Sequence, residues 1–508
     1  ERLSDWPTAP HLWHVVLASG VRRRLAEPGD RVQDAFAFLG DGRRLVVLTN
    51  RPIEARPWFE TDVRTVDLRT GAETPVASLR MGFENRPGLS GFAASPDGTR
   101  IAFVGPPSEL GDDVDVEPNA FDPDLYVLDL GTAAWTNVTA DLAASVAGHV
   151  RWTTDGTGLR FLATEGARNV IVSARLDGIE VLALEAGSAG AERVHDVDFA
   201  GASSFAAVVS RSDRLPWLVA DGRDLLLPNR PLERRWALPE PVDQSFAADD
   251  GTPIEAWLFR PVPSARGAGK LPLVVYYYGG ATPSLRGWNE LHAFVVANGY
   301  ALYVVNPRGA NGYGRAFADH HVNDWGEKAG ADILRGVADV LARNDDLDPR
   351  RVGGFGGSYG GFMTMSLLTK TDRFAAAVSL YGISNLASYF GDGQWGWTYG
   401  DQAMARSYPW SHAGWYAEHS PLFHADRITT PLLLLHGAED GNVPPAESEQ
   451  MFTALRLLNR PVELVRFSGE DHGLRGTWEN RVAHREMMVD WFDRHLRGRP
   501  EAWEARWE

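Results

Sequence analysis

One short segment constrains the fold of this chain more than any other: residues 356–360 read Gly-Gly-Ser-Tyr-Gly, a Gly-x-Ser-x-Gly pattern. The apolar run before it predicts a buried strand, and residues 361–368 after it predict a helix. A serine held between a strand and a helix lies on a strained turn, which flanking glycines permit. We therefore expect this turn to expose the hydroxyl of Ser358 and to leave the next amide free at a helix N-terminus.

A serine hydroxyl needs a base to take its proton, and that base needs an acid to orient it. The strand-like run 431–437 is followed by a turn that contains Asp440, and the run 462–467 is followed by His472. Both residues follow strand ends, where open α/β sheets place their chemistry. The sequence therefore predicts Ser358, Asp440 and His472 as a catalytic triad, in the chain order that such hydrolases use.

Each member of this triad also has a structural interpretation. Ser358 alone could be a small turn residue, Asp440 a helix cap and His472 a loop histidine. Two other histidines are weaker candidates for the base. His436 ends a Leu-rich strand, and His484 lies in the middle of the predicted C-terminal helix.

Three other acids lie close to the predicted triad. Glu439 is a weaker candidate than Asp440, and we expect Glu470 and Asp471 to bracket the histidine rather than orient it.

Length and charge narrow the class of protein. A chain of 508 residues predicts two domains, and a net charge of -17 argues against nucleic acid or an anionic membrane as a partner. The absence of cysteine excludes disulfides and thiolate metal sites, and nothing implies a metal or an organic cofactor. No apolar run approaches the length of a membrane span, and no signal peptide is visible. We expect a cytoplasmic protein, with a secreted or periplasmic mature form as the alternative.

The first half of the chain contains a repeat of polar turn followed by strand. Asp-Gly turns at Asp41, Asp97 and Asp155 each precede an apolar run, and a degraded copy covers residues 199–202. Hairpins of this kind at a period of about 45 to 60 residues are typical of propeller blades. We count four clear blades and a first one represented by its closing strand, so the propeller is short or lacks its first blades. An irregular β-sandwich is the alternative.

The pattern changes near residues 228–241, where Pro-rich and charged residues interrupt it. From residue 271 onward strands and helices alternate, which is the signature of a mostly parallel, doubly wound sheet. The expected domains are therefore 1–235, a β-propeller, and 236–508, the catalytic domain.

With these motifs in place, the chain resembles the prolyl oligopeptidase family of serine peptidases, most closely its acylaminoacyl-peptidase and oligopeptidase branch. The resemblance covers about residues 240 to 500. It depends on Tyr-Gly-Gly, Asn-Pro-Arg-Gly, Trp-Gly, Gly-Gly-Ser-Tyr-Gly-Gly, Ser-Pro, His-Gly and Asp-His-Gly motifs at 278–280, 306–309, 325–326, 356–361, 420–421, 436–437 and 471–473. It implies a β-propeller followed by an α/β-hydrolase domain, in agreement with the repeat.

The resemblance also implies roles for single residues. Ser358 would form the acyl-enzyme, His472 would move the proton and Asp440 would hold the imidazole. The amide of Tyr359 would supply one oxyanion donor and the hydroxyl of Tyr278 the second, although the acylaminoacyl branch often has His at that position. If a backbone amide supplies the second donor instead, Tyr278 is only a strand-end aromatic.

Relatives line the pocket for the residue before the scissile bond with the segment that corresponds to residues 389–397. Trp395 and Trp397 are therefore candidate substrate-binding residues, with internal packing as the alternative. Arg308 is a candidate clamp for a substrate carbonyl or carboxylate, with a structural ion pair as the alternative.

The expected function is a serine peptidase, an oligopeptidase or an acylaminoacyl-peptidase-like exopeptidase, that hydrolyses short peptides or acyl-peptides while the propeller limits access. Dipeptidyl-peptidase relatives hold the substrate amine with adjacent glutamates, and this chain has no two adjacent glutamates. One alternative is an esterase or small-molecule amidase of the same fold. A second is a non-catalytic, propeller-based binding protein. Relatives often pair through the hydrolase domain, so a homo-oligomer is also expected.

Overall fold

The structure is a computed structural model. It describes residues 13–24, 32–52, 59–79, 91–105, 122–176, 190–200, 204–392, 403–404 and 407–507. The chain divides into two compact units by its internal contacts. The first unit contains Glu1–Val209, Leu218–Leu226 and Gly312–Arg315, and the second contains Ser210–Trp217, Leu227–Asn311 and Ala316–Glu508.

Within the described residues, the N-terminal strands form five small antiparallel sheets. The first sheet consists of β1 (Trp13–Val16) and β2 (Val21–Arg24). The second sheet consists of β3 (Val32–Phe38), β4 (Arg44–Pro52), β5 (Phe59–Asp67) and β6 (Glu73–Leu79). The third sheet consists of β7 (Phe92–Ala94), β8 (Arg100–Gly105), β9 (Asp124–Asp129) and β10 (Trp135–Asn137). The fourth sheet consists of β11 (Ser145–Trp152), β12 (Gly158–Glu165) and β13 (Arg168–Arg175). The fifth sheet consists of β14 (Arg193–Ala200), β15 (Ser204–Arg211), β16 (Arg214–Ala220) and β17 (Arg223–Leu226).

The third sheet buries both of its faces, because the side chains along each strand point alternately to opposite sides. On β9, Tyr126 and Leu128 belong to one hydrophobic core with residues of β3 to β5. Leu125 and Val127 of the same strand belong to the next core, with residues of β11 to β13. Small sheets stacked face to face are the blades of a β-propeller, so the predicted propeller fold is confirmed.

The repeated Asp-Gly turns form as predicted. Gly42, Gly98 and Gly156 all have positive φ, at 63°, 69° and 69°, which a residue with a Cβ rarely adopts. The turns at Asp97 and Asp155 lead into β8 and β12, as the sequence indicated. The degraded fourth copy extends into residues 201–203, which lie outside the described residues.

The second unit is built around one mixed sheet. Its strands are β18 (Val242–Asp243), β19 (Phe246–Ala247), β20 (Pro253–Phe259), β21 (Leu271–Tyr277), β22 (Ala301–Asn306), β23 (Leu347–Gly357), β24 (Ala376–Leu380), β25 (Leu432–Gly437) and β26 (Val462–Phe467). The strand order is β18-β20-β22-β21-β23-β24-β25-β26, with β19 paired to β20. Strands β21 to β26 pair in parallel, and β20 is antiparallel to both of its neighbours in that order. This is the α/β-hydrolase sheet that the alternating pattern predicts.

The described helices lie before, between and after these strands. They are α1 (Arg230–Glu233), α2 (Glu290–Ala297), α3 (Arg315–Ala318), α4 (Lys328–Arg343), α5 (Tyr359–Leu368), α6 (Leu386–Gly391), α7 (Ala413–His419), α8 (Ala446–Leu457), α9 (Trp478–Leu496) and α10 (Glu501–Trp507). Every residue of α5 is buried, because this helix lies directly on the sheet.

Strand β23 begins at Leu347, shortly after the end of α4. Leu347 is buried and pairs with Leu271 of β21, so the first residue of β23 already belongs to the parallel part of the sheet.

Candidate active site

Ser358 occupies a strained turn between β23 and α5. Its φ of 60° and ψ of -119° are unfavourable for a residue with a side chain. The turn closes only because its neighbours are glycines: a Cβ on Gly356 would lie 2.6 Å from the carbonyl oxygens of Gly360 and Tyr277. The Ser358 carbonyl accepts two of the first amides of α5, which fixes the serine at the head of the helix.

Tyr278 follows β21, and its phenol group lies beside the Ser358 side chain. Burial raises the pKa of Tyr278, while the interaction with Ser358 acts in the opposite direction. The tyrosine is therefore a neutral phenol at pH 7 and can donate a hydrogen bond. A Cβ on Gly280 would lie 2.8 Å from its ring, so the Tyr-Gly-Gly motif leaves space for this side chain.

Tyr359 is the first residue of α5, so its amide has no acceptor within the helix. Its ring is buried against Trp325, His321 and Phe362, with ring centroids 5.1, 5.1 and 5.2 Å away. Gly326 completes this contact, because a Cβ there would lie 2.8 Å from the Ser366 hydroxyl on α5. The Trp-Gly motif thus packs against α5, the helix that begins directly after Ser358.

Asp440 lies in the turn after β25 and is buried. Its Oδ1 accepts the amides of Asn442 and Val443, both at 2.9 Å, and its Oδ2 lies 2.8 Å from Nδ1 of His472. Burial acts to raise the pKa of Asp440, but hydrogen bonds from His436 and His472 and the backbone amides hold it well below its usual range. The carboxylate is therefore ionised at neutral pH.

His472 lies in the loop that follows β26. An ionised carboxylate can only accept, so Nδ1 of His472 carries the proton that it shares with Asp440. In the neutral ring, the other nitrogen, Nε2, then carries a lone pair and can take a proton. The ring packs edge-on against Tyr381, with centroids 4.7 Å apart.

His436 is a structural histidine, as expected from its position in the Leu-rich strand. It is fully buried, with Nε2 donating to the Val443 carbonyl at 2.9 Å and Nδ1 accepting from the Ser448 hydroxyl at 2.7 Å. Nε2 also lies 3.4 Å from Oδ2 of Asp440. His436 therefore positions Asp440 while keeping both of its own nitrogens satisfied.

Two nearby groups hold the histidine loop in shape. The buried carboxylate of Glu470 accepts the amides of Gly476 and Thr477 and the side-chain amide of Asn480, at 2.7, 2.9 and 2.8 Å. Asp471 accepts the amides of Gly441 and His472, which links the histidine loop to the loop of Asp440. Both acids bracket His472, as the sequence indicated.

The parallel sheet explains why these side chains meet. Tyr278, Ser358, Tyr381, Asp440 and His472 follow the carboxyl ends of β21, β23, β24, β25 and β26. The carboxyl ends of parallel strands lie at one edge, which is where open α/β sheets bind ligands. Sequence reasoning missed Tyr381, and the only available signal was its place directly after a predicted strand.

The other predicted site residues have different surroundings. Arg308 is buried, and its guanidinium donates to Asp332 at 2.7 and 2.9 Å and also to Asp250. This geometry favours the ion-pair alternative over a substrate clamp. Trp395 and Trp397 lie outside the described residues. His484 is buried within α9, and burial lowers its pKa to about 4.

Within the described residues, no cluster of three or more His, Asp or Glu side chains is arranged to hold a metal ion. No helix in the same part of the chain is long and apolar enough to cross a membrane.

Comparison with known proteins finds a family match within the second unit. Residues 288–499 match the prolyl oligopeptidase family. The chain is 34% identical over 302 residues to the uncharacterized peptidase YuxL of Bacillus subtilis. This alignment covers 58% of this chain and 45% of that protein. It is 33% identical over 288 residues to dipeptidyl aminopeptidase BIII of Pseudoxanthomonas mexicana, over 54% of this chain and 40% of that protein. The match thus spans less than half the length of either relative.

Solved structures agree in fold. The acylaminoacyl peptidase of Pyrococcus horikoshii superposes with a TM-score of 0.73 at 21% identity, over 96% of this chain and 85% of that one. A puromycin-hydrolyzing peptidase of Mycobacterium tuberculosis superposes with a TM-score of 0.70 at 24% identity, over 94% of this chain and 72% of that one. The sequence match to the prolyl oligopeptidase family therefore lies within the α/β-hydrolase domain, over residues 288–499.

Proposed function

We propose that this protein is a serine peptidase that hydrolyses short peptides through an acyl-enzyme on Ser358. The observation that carries the proposal is the 2.8 Å contact between Asp440 and His472 at the sheet edge that also presents the strained Ser358 turn. A nucleophile, a base with an available nitrogen and an ionised acid are the three parts that this chemistry needs.

In the proposed first step, His472 Nε2 takes the proton of the Ser358 hydroxyl as its oxygen bonds to the substrate carbonyl carbon. Asp440 stabilises the imidazolium that forms. The imidazolium then gives its proton to the leaving amine as the C–N bond breaks, and water attacks the resulting ester by the same route in reverse.

The negative charge on the carbonyl oxygen needs donors that are in place before the reaction. The Tyr359 amide and the Tyr278 hydroxyl fit this role, since one lies at the helix N-terminus and the other is a neutral phenol beside Ser358.

We further propose that residues 1–235 and 236–508 act as separate propeller and catalytic domains, with the propeller limiting which substrates reach Ser358. The confirmed propeller fold and the family match within the second unit support this division of roles.

Labelling with a fluorophosphonate tests the proposal directly. We expect one adduct, located on Ser358 by peptide mass spectrometry, with adduct and peptide hydrolysis both lost in Ser358→Ala. Ser411→Ala is the control, because Ser411 is an exposed serine with only local hydrogen bonds. A wild-type chain that neither labels nor cleaves peptides would instead support a binding protein. Turnover of simple esters and aryl amides without turnover of peptides would support the esterase or amidase alternative.

A further inference from the structure

A cleft in the second unit is lined by an unusual concentration of positive charge. Its volume is about 230 Å³. None of the ten residues that line it is acidic. Five are cationic: Arg266, Lys270, Arg351, Arg497 and Arg499. The chain as a whole carries a net charge of -17, so this cleft is a positively charged region of an acidic protein.

Only part of this charge is neutralised. Arg351 pairs with Asp348 and Arg497 with Asp493, both at 2.8 Å. Among the described residues, Lys270 and Arg499 make no ion pair. Both are exposed, so they can turn toward a ligand.

Two of the guanidinium groups are already held in position. The Arg497 guanidinium lies over the ring of Tyr300, 4.0 Å from its centroid, while Nη1 donates to Asp493. Arg351 donates through Nε to Asp348 and through Nη2 to the backbone carbonyl of Lys270. Groups fixed in this way lose little further rotamer freedom when they bind a ligand.

The loop on one side of the cleft is small and open. Gly267 and Gly269 have no atom within 4 Å of where a Cβ would lie, and Gly269 has a φ of +83°. These glycines therefore leave open space on this side of the cleft.

We propose that this cleft is a binding site for a small phosphate-class oxyanion. Fixed guanidinium groups match the geometry of phosphate oxygens, and Lys270 adds a mobile charge. The volume lies below the range of about 300–1,000 Å³ typical of drug-sized ligands, which favours inorganic phosphate or pyrophosphate, or the phosphate group of a larger molecule that extends into solvent.

This site is distinct from the proposed active centre. Leu271 lines the cleft at the start of β21, whereas Tyr278 follows the other end of the same strand. A strand of this length spans about 20 Å.

Thermal unfolding with phosphate, pyrophosphate or chloride at equal ionic strength tests the proposal. We expect saturating phosphate or pyrophosphate to raise the Tm by about 2–4 °C above the chloride value. The double variant Lys270→Ala/Arg499→Ala should lose this shift and weaken pyrophosphate binding by at least about tenfold in calorimetric titration.

Arg350→Ala is the matched control, because Arg350 is next to Arg351 in sequence but is 90% exposed and does not line the cleft. This variant should keep the full shift. Equal Tm values in phosphate and chloride, or an equal loss of the shift in the control, would overturn the proposal. Fluorophosphonate labelling of Ser358 in the same samples reports on the active centre separately, so failure of one proposal is distinguishable from failure of the other.

Discussion

At the scale of single residues, environment separates three histidines that the sequence alone presents as possible bases. His436 has both nitrogens occupied, and His484 is buried within a helix, where its pKa falls to about 4. His472 has an ionised partner on Nδ1 and lies partly exposed at the edge of the sheet, with 21% of its side chain accessible. Only His472 combines an oriented ring with access to a substrate.

Replacing Tyr278 by Phe tests the second oxyanion donor. We expect kcat to fall by about 10²–10³-fold with a small change in KM, since the donor acts mainly in the transition state. Tyr277→Phe is the matched control, because its hydroxyl bonds to Thr364 instead. Wild-type turnover by the Tyr278→Phe enzyme would assign the second donor to a backbone amide.

Replacing Asp440 by Asn tests the acid. We expect kcat to fall by about 10⁴-fold, because an amide no longer stabilises the imidazolium or selects the Nδ1–H tautomer. Asp471→Asn is the control from the neighbouring loop, since Asp471 accepts only backbone amides and Asn keeps that acceptor. A larger loss in the Asp471 variant than in the Asp440 variant would reverse the two assignments.

At the scale of elements, the propeller repeat depends on aspartates that bind their own turns. Oδ1 of Asp97 accepts the Thr99 amide and hydroxyl and the Ser95 hydroxyl, at 3.0, 2.8 and 2.6 Å. Asp155 binds Thr153 and Thr157 in the same pattern. The repeat visible in the sequence is therefore a repeat of side-chain hydrogen bonds as well as of glycine conformations.

These bonds predict a pH dependence of stability. Hydrogen bonds from Ser95 and Thr99 lower the pKa of Asp97 to about 2, from 3.8. The folded state then binds fewer protons than the unfolded chain between these values, so the contribution of Asp97 is present above about pH 4 and is lost as the pH falls toward 2.

Asp97→Asn should therefore unfold at a lower Tm than wild type at pH 6, with the difference narrowing as the pH falls toward 3. Asp141→Asn is the control, because the structure shows no side-chain hydrogen bond for this exposed propeller residue. A Tm difference for Asp97→Asn that stays constant between pH 6 and pH 3 would contradict the linkage.

At the scale of the whole molecule, the two units contribute different properties. The hydrolase sheet collects the proposed reacting groups on five loops, while the propeller contains none of the residues assigned to the triad. The proposed role of the propeller is selection by size.

Size selection can be measured with one scissile sequence in two contexts. We expect a tetrapeptide copied from casein to be cleaved, and the same sequence within reduced, full-length casein to resist cleavage, because a long chain is excluded from the catalytic groups. The Ser358→Ala enzyme controls for contaminating peptidases. Equal cleavage in both contexts would show that the propeller does not restrict access.

Much of this architecture could be predicted from local sequence. The strained turn at Ser358 could be predicted from the glycines that flank it, because this backbone conformation needs residues without a side chain nearby. The propeller turns could be predicted from the Asp-Gly pairs. The alternation of strands and helices predicted the parallel sheet, and therefore the edge on which Asp440 and His472 lie. These features depend on residues close together in the chain, so a single sequence carries them. The catalytic roles of the three residues stay predictions.

Which groups share a hydrogen bond depends on how the folded chain brings distant residues together. Asp440, rather than Glu439 or Glu470, contacts His472, and Arg308 is held by Asp250 and Asp332. The partners in these contacts are separated by 24 to 58 residues. A hydrogen bond requires its atoms within about 3 Å, and no local pattern fixes that distance between residues so far apart. The cationic cleft has the same origin, since it gathers charges from three separate parts of the chain.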